Sequence, residues 1–135
     1  MFIFIKAGTL QDELEKNLRT AKYLQNERLL NIFYGIADGL NYIHSCNLAH
    51  RDLKPHNVLM SNDGITPVLT DFGSMTEKVI EIKSSRAAQE IQDWAAQNCS
   101  MFYKAPELFN PRNGIAINEF ADVWSLGCVL YALMY

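Results

Sequence analysis

The spacing of apolar side chains predicts that helices are the main elements of this chain. From Asn26 onward, apolar residues recur at intervals of three and four, which places them on one face of a helix: Leu29, Ile32, Phe33, Ile36, Leu40 and Ile43. This long helix is expected to end near Cys46-Asn47. Its amphipathic pattern predicts that one face is buried against the rest of the protein.

Three further helices are predicted from capping residues and helix formers. Residues 10–19 are expected to be helical with Thr9 as the N-cap, and residues 84–97 begin with serine caps. A last, strongly apolar helix is expected to begin near Glu119, continue to the end of the sequence and be buried. The segment before it, which contains Pro106, is predicted to be a loop.

Short apolar runs predict strands. Residues 2–5 form one run, and two others, Val58–Met60 and Pro67–Leu69, flank the turn signal Asn62-Asp63-Gly64. These two are expected to pair as a small hairpin. The predicted fold class is therefore α+β, mostly helical with one hairpin.

Composition excludes several classes of protein. The 135 residues are 49% hydrophobic and 20% charged, which is typical of a globular chain and not of a disordered one. Twelve Lys and Arg against 15 Asp and Glu give a net charge of −3, so no nucleic-acid partner is expected. The three cysteines lie far apart in the sequence, which predicts reduced, mostly buried thiols and a cytoplasmic protein.

Three short motifs carry the candidate chemistry: His50-Arg51-Asp52-Leu53-Lys54-Pro55-His56-Asn57, Asp71-Phe72-Gly73 and Ala105-Pro106-Glu107. The predicted hairpin folds back between the first two motifs and should bring Asp71 beside Asn57. Carboxylate and amide oxygens are hard donors that suit Mg²⁺. Asn57 and Asp71 are therefore the candidate metal ligands, and they would bind Mg²⁺ against the phosphates of ATP.

The same motifs supply the other groups that phosphoryl transfer needs. Asp52 would accept the proton of an attacking hydroxyl, and Lys54 would stabilise charge on the transferred group. A small-molecule kinase of the aminoglycoside phosphotransferase type remains an alternative, because it uses a similar loop. Arg51, residues 54–55 and residues 105–107 favour a protein kinase.

The whole chain resembles the second half of a eukaryotic serine/threonine protein kinase, from the hinge between the lobes into the sixth long helix. Within the protein kinases it is most similar to the Numb-associated kinase family, in four segments: residues 49–55, 71–75, 92–97 and 122–132. That family has an extra helix in its activation segment, and residues 84–97 would supply it. The resemblance implies ATP and Mg²⁺ as cofactors and protein Ser/Thr hydroxyls as substrates.

The resemblance also implies a nucleotide pocket. Phe2 falls near the gatekeeper position, and Ile3 and Ile5 would offer backbone groups to adenine. Leu59 would form the floor of the adenine pocket. The cofactor-binding set is then Ile3, Ile5, Asn57, Leu59 and Asp71.

Substrate binding and regulation are implied at further positions. Ser100 matches a residue that contacts Asp52 and Lys54 beside the substrate, and Asp122 is expected to cap the backbone of residues 50–52. Arg51 would pair with a phosphate on the activation segment, with four candidate acceptors: Thr76, Ser84, Ser85 and Ser100. His50 and Phe72 are expected to pack in the core. His44 and His56 are expected to lie at the surface.

The expected layout is a partial kinase domain over residues 1–135. Its parts are a hinge (1–9), a catalytic loop (50–57), an activation segment with an extra helix (71–107) and the start of the central helix (119–135). No G-x-G occurs in the sequence and no V-A-I-K-like Lys precedes the hinge, so we expect a fragment without the small lobe that is inactive alone.

Two expectations concern the protein beyond its chemistry. A non-catalytic truncated product that acts by binding proteins is the alternative function. Membrane association, at the Golgi or another membrane, is implied by the family resemblance alone, through an N-terminus absent from this sequence.

Overall fold

The computed structural model describes residues 8–135. The predicted strand at residues 2–5, with Phe2, Ile3 and Ile5, lies outside the described residues. Five α-helices occur in the described part of the chain: α1 (Leu10–Arg19), α2 (Asn26–Ser45), α3 (Ser85–Asn98), α4 (Pro106–Phe109) and α5 (Phe120–Met134). All but α4 were predicted within one or two residues. The prediction of a loop was wrong at α4, because Pro106 occupies the first helical position, where its missing N–H costs nothing.

Short strands pair into three two-stranded antiparallel sheets within residues 8–135: β1 (Leu48–Ala49) with β4 (Thr76–Glu77), β2 (Val58–Met60) with β3 (Pro67–Leu69), and β5 (Ile80–Glu81) with β6 (Ala116–Ile117). The predicted hairpin is β2–β3, in the register Val58↔Leu69. The other two pairs join distant residues, so the prediction of one hairpin was incomplete.

Helix α1 begins with a reciprocal cap. Thr9 Oγ1 accepts from the backbone N–H of Asp12 at 3.1 Å, and Asp12 Oδ2 accepts from the backbone N–H of Thr9 at 2.8 Å. The hydrogen bonds that the Asp12 carboxylate accepts from the backbone N–H and from the hydroxyl of Thr9 hold its pKa below the usual value. The predicted N-cap is therefore confirmed, and it is a complete capping box.

Arg28 joins three elements on one side of the molecule. Its guanidinium contacts Glu13 on α1, with Nη2 2.7 Å from Oε1, and its Nη1 donates to the carbonyl of Gly64 in the β2–β3 turn. Since Arg28 itself lies on α2, this one side chain links both helices to the hairpin.

The buried side chains form two clusters. The first cluster lies between α1, α2, the β2–β3 hairpin and the C-terminal half of α5: Leu10, Ile32, Ile36, Leu40, Leu53, Val58, Met60, Val129 and Leu133. The second cluster lies around α3, α4, the β5–β6 sheet and the start of α5: Ile82, Ala88, Ala95, Cys99, Ala105, Leu108, Ile117 and Ala121. The loop at residues 50–57 adjoins both clusters, because Leu53 belongs to the first and Asp52 accepts from Ser100, the residue after Cys99 of the second.

Helix α5 contributes to both clusters but is not buried all round. Ala121 belongs to the second cluster and Val129 to the first, whereas Trp124 and Tyr131 are exposed. The expectation of a fully buried helix was therefore wrong for one face. No helix within residues 8–135 has the length and apolarity to cross a membrane.

Candidate active site

The loop at residues 50–57 is fixed to α5 by one buried carboxylate. Asp122 is fully buried, and its Oδ2 and Oδ1 accept from the backbone N–H groups of His50 and Arg51, both at 2.8 Å. Arg51 has a left-handed backbone with φ of 68°, an arrangement costly for a side-chain-bearing residue. The two hydrogen bonds to Asp122 stabilise that conformation, and the expected cap is confirmed.

Asp52 is held by contacts on both carboxylate oxygens. Its Oδ1 accepts from the backbone N–H of Ser100 at 2.9 Å, and its Oδ2 lies 3.2 Å from Asn57 Nδ2 and 3.4 Å from Lys54 Nζ. The side chain is only 10% exposed. These contacts restrict the carboxylate to one orientation, as a base positioned for a substrate hydroxyl requires.

Lys54 and Ser100 complete this group. Lys54 Nζ donates to Ser100 Oγ at 2.6 Å while remaining close to Asp52. The structure therefore brings together Asp52, Lys54 and Ser100, which the sequence places in two separate segments. The roles assigned to them from the sequence remain predictions.

Asn57 is oriented by its amide nitrogen. Nδ2 donates to the backbone carbonyl of Asp52 at 2.8 Å, and a carbonyl can only accept, which settles which amide atom is the nitrogen. Because the nitrogen faces Asp52, the amide oxygen points away from Asp52. Oδ1 is thus placed as a hard donor for a cation.

Asp71 follows the strand that pairs with the segment after Asn57. The backbone N–H of Thr70 donates to the carbonyl of Asn57 at 3.0 Å, so the hairpin places Asp71 next to Asn57 in the backbone, as predicted. Among residues 8–135 the exposed Asp71 carboxylate has no hydrogen-bond partner. Its φ of 59° is also left-handed.

The donor set fits Mg²⁺ better than a metal that needs a complete protein cage. Within the described residues no group of three or more His, Cys, Asp or Glu side chains gathers as a ligand set. Mg²⁺ is usually held by one or two carboxylates together with phosphate oxygens and waters. Asn57 and Asp71 can supply the protein ligands of such a site.

Leu59 is the described residue that was predicted to form the floor of the adenine pocket. It is partly buried on β2, and it forms an isolated bridge with Thr9. The next residue, Met60, donates its N–H to the carbonyl of Gly8 at 3.1 Å. The hairpin therefore packs beside the end of the predicted hinge, although Ile3 and Ile5 themselves lie outside the described residues.

The guanidinium of Arg51 is buried and bonded to neutral acceptors. Nε donates to Thr76 Oγ1 at 2.8 Å, Nη1 to the carbonyl of Asn118 at 2.7 Å, and Nη2 to the carbonyls of Glu77 and Lys78. Burial lowers the pKa of Arg51. Thr76, one of the candidate phosphate acceptors, is therefore hydrogen-bonded to Arg51.

Two expectations about aromatic side chains were wrong. His44 is not a surface residue, because its Nε2 lies 2.8 Å from Asp122 Oδ2 and its side chain is 15% exposed. Phe72 is not buried in the core: it is 53% exposed and contacts the buried His50 ring edge-on, with centroids 5.9 Å apart. The expected positions of His50, buried, and His56, exposed, are confirmed.

The position of His44 had a signal in the sequence. It follows Ile36 and Leu40 at four-residue steps, so it continues the buried face of α2. A polar residue on that face needs a buried partner, and Asp122 provides it. The partner itself, 78 positions later, could not be identified from the spacing.

Comparison with known proteins agrees with the motifs and their geometry. The protein kinase domain model matches residues 2–135. The chain belongs to the protein kinase domain family. This membership favours a protein kinase over a small-molecule kinase of the aminoglycoside type.

Relatives of this kinase chain include serine/threonine-protein kinase 16 of Mus musculus and of Homo sapiens. Each is 48% identical over 132 residues, which is 98% of this chain and 43% of the relative. Serine/threonine-protein kinase ENV7 of Saccharomyces cerevisiae is 40% identical over 95 residues, or 70% of this chain and 26% of the relative. The chain thus spans less than half the length of these relatives.

Proposed function

We propose that this chain is the catalytic part of a serine/threonine protein kinase, which transfers the γ-phosphate of ATP to Ser or Thr hydroxyls of proteins. The observation that carries the proposal is the Asp52 carboxylate, oriented by Ser100 and Asn57 and paired with Lys54. Leu53-Lys54-Pro55 favours the serine/threonine branch, and so do the names of the relatives.

In the proposed reaction Asp52 accepts the proton of the substrate hydroxyl and orients its oxygen towards the phosphate. Lys54, 3.4 Å from Asp52, adds positive charge near the transferred group. Asn57 and Asp71 would hold Mg²⁺, which neutralises charge on the phosphates when bound. Ser100 keeps both Asp52 and Lys54 in place.

Nucleotide binding is proposed for the cleft beside the hairpin. Leu59 would lie beneath adenine, and Ile3 and Ile5 would bind its edge through their backbones. The contact of β2 with Gly8 and Thr9 supports this arrangement, because it joins the pocket floor to the end of the hinge.

The finer family assignment is also a proposal. Helix α3 occupies the segment between Asp71 and Glu107, where the Numb-associated family carries its extra helix, and this supports that family. Within it the chain resembles the myristoylated-and-palmitoylated serine/threonine kinase. From that resemblance we infer a cytoplasmic location with membrane association, at the Golgi or another membrane, through N-terminal lipids.

The test is phosphate transfer by the full-length protein with the change Asp52→Asn. We expect a loss of roughly 10²–10⁴-fold in turnover, the range typical of a general base. Asp38→Asn makes the same chemical change at an exposed site on α2 and should leave turnover unchanged. Full activity of Asp52→Asn, measured by phosphate incorporation into a protein substrate, would refute the proposal.

The alternative function gives the opposite result. A non-catalytic product that acts by binding proteins would transfer no phosphate in either form. The 135-residue chain alone, whose sequence has no Gly-rich loop, is expected to show negligible transfer. Activity of the full-length protein therefore separates the two functions.

A further inference from the structure

A side-chain hydrogen bond outside the candidate site connects the segment that contains Asp71 to the segment that contains Ser100. Ser74 Oγ donates to the backbone carbonyl of Asn98, at the end of α3, over 2.9 Å, and the bond is partly buried. Ser74 lies three residues after Asp71, and Asn98 lies two residues before Ser100. The bond thus joins the segment of the metal-ligand candidate to the segment that orients the base.

The conformation of Asp71 depends on the residues that follow it. Its left-handed backbone, with φ of 59° and ψ of 72°, costs about 1–2 kcal/mol for a residue with a side chain. Such a conformation persists only where its surroundings determine it. Before Asp71 the backbone is restrained by the N–H of Thr70, which donates to the carbonyl of Asn57, and after it the restraint has to come from the adjoining turn.

The turn after Asp71 is anchored at both ends. At its start Phe72 contacts the ring of His50, and within it the N–H of Met75 donates to the carbonyl of Phe72 at 3.2 Å. At its end Ser74 is bonded to Asn98. One anchor is therefore the loop that carries Asp52, and the other is α3.

The end of α3 is a firm point of attachment. The last carbonyls of a helix lack partners within it, and here Ser74 Oγ satisfies the carbonyl of Asn98. Asn98 Nδ2 also donates to the carbonyl of Trp94 at 2.8 Å, one turn earlier in the helix. Cys99, the next residue, is 8% exposed in the second cluster. Ser100 then donates its N–H to Asp52. A single stretch of three residues, 98–100, therefore contacts both sides of the site.

We infer that Ser74 is a positioning residue for Asp71. Through Asn98 it holds the Asp71 turn against the same three-residue segment, 98–100, that orients Asp52, so the end of α3 sets where the metal ligand lies relative to the base. The inference rests on the proposed role of Asp71 in binding Mg²⁺. By this inference, α3 positions the metal-ligand candidate in addition to packing in the second cluster.

The test is the affinity of the full-length protein for Mn²⁺, used as a spectroscopic probe for Mg²⁺, in the presence of a non-hydrolysable ATP analogue. Electron paramagnetic resonance measures free Mn²⁺ directly and needs no turnover. We expect Ser74→Ala to weaken Mn²⁺ binding roughly tenfold, the lower end of the range for residues that orient metal ligands. Ser74→Thr, which keeps the hydroxyl, should restore most of the affinity.

Ser84→Ala is the matched control, because it removes a hydroxyl from the opposite end of α3. Ser84 Oγ accepts from the backbone N–H of Ala87 at 3.0 Å and caps the helix. It should destabilise α3 and leave Mn²⁺ affinity unchanged. Equal weakening by Ser84→Ala and Ser74→Ala would show that helix stability matters rather than the bond to Asn98, and would overturn the inference.

Asp71→Asn distinguishes this inference from the proposed function. If Asp71→Asn binds Mn²⁺ as the wild type does, the proposed metal site itself is wrong. If Asp71→Asn loses the ion while Ser74→Ala keeps wild-type affinity, only the positioning role is wrong. Circular dichroism of each variant ensures that the comparison is made between folded proteins.

Discussion

The two hydrophobic clusters that adjoin the loop at residues 50–57 are built from side chains of different size. The first cluster consists of Leu, Ile, Val and Met side chains, which each bury a large apolar area. The second consists mostly of Ala and Cys, with Ile82, Leu108 and Ile117 as its large members. Hydrophobic stabilisation scales with buried area, so a residue of the second cluster contributes less on average than one of the first.

Around the second cluster, close packing of helices and hydrogen bonds add to this smaller hydrophobic contribution. Small residues allow α3 and α4 to pack closely, and Gln92 Nε2 donates from α3 to the carbonyl of Phe109 at 2.9 Å. Ser125 Oγ donates to the carbonyl of Tyr103 at 2.6 Å. The first cluster thus forms the frame beneath the loop at residues 50–57. The first of these hydrogen bonds holds α3 to α4, and the second holds the segment before α4 to α5.

Asp122→Ala should have the largest effect, because the Asp122 carboxylate connects the loop at residues 50–57 to α5. The change leaves His44 and two backbone N–H groups without their partner. We expect a loss of about 3–5 kcal/mol in the free energy of unfolding, because each buried donor left unsatisfied costs about 1–3 kcal/mol. The loss is measured by urea denaturation of the full-length protein. Asp38→Ala, at an exposed site, is the control. A loss below about 1 kcal/mol would show that the loop does not depend on α5.

Ile36→Ala tests the frame. Ile36 is fully buried in the first cluster, so its truncation should cost about 2–5 kcal/mol through lost burial and the cavity that remains. Leu30→Ala removes a comparable side chain that is 60% exposed on the same helix, and should change stability by less than about 0.5 kcal/mol. Similar urea midpoints for the two variants would contradict the assignment of the first cluster as the frame.

Ala95→Leu tests the close packing of the second region. Ala95 is fully buried on α3, and a larger side chain there should cost about 1–3 kcal/mol through overpacking. Its neighbour Ala96 is exposed, so Ala96→Leu should be nearly neutral. If thermal unfolding showed Ala95→Leu to be as stable as the wild type, the second cluster would have room that the small residues do not indicate.

The smallest expected effect is on the pH dependence of stability, and it comes from two carboxyl groups that belong to neither cluster. Hydrogen bonds lower the pKa values of Asp12 in the α1 cap and of Asp63 in the hairpin turn. The unfolded carboxyls bind protons more readily, so their stabilisation is complete above about pH 4 and is lost as the pH falls through the lower folded values. Asp12→Asn should therefore reduce the fall in melting temperature below pH 4. An unchanged acid slope in both Asp12→Asn and Asp63→Asn would contradict this.

Local signals predicted most of the secondary structure. The capping box at Thr9, the serine cap at Ser84 and the turn at residues 62–64 act over a few residues, so their effect can be derived from neighbouring positions. The hairpin also brought Asp71 beside Asn57, because its register requires only that adjacent strands pair. These parts of the site could be predicted before the structure.

Contacts between distant segments could not be predicted in the same way. The pairing of β1 with β4 and of β5 with β6, the hydrogen bond between His44 and Asp122 and the bond of Ser74 to Asn98 each join residues far apart in the chain. Each depends on how α2, α3 and α5 pack, and many partners would satisfy the same spacing.

The sequence by itself therefore predicted four of the helices, the hairpin, the protein kinase family and the candidate groups for the proposed phosphoryl transfer, because these follow from local patterns and from the order of three motifs. Tertiary structure alone decided how the groups meet. Asp122 reaches the loop only because α5 packs against α2, and Ser100 reaches Asp52 only because α3 ends beside it. Long-range packing, which no local pattern specifies, sets the geometry on which the proposed chemistry depends.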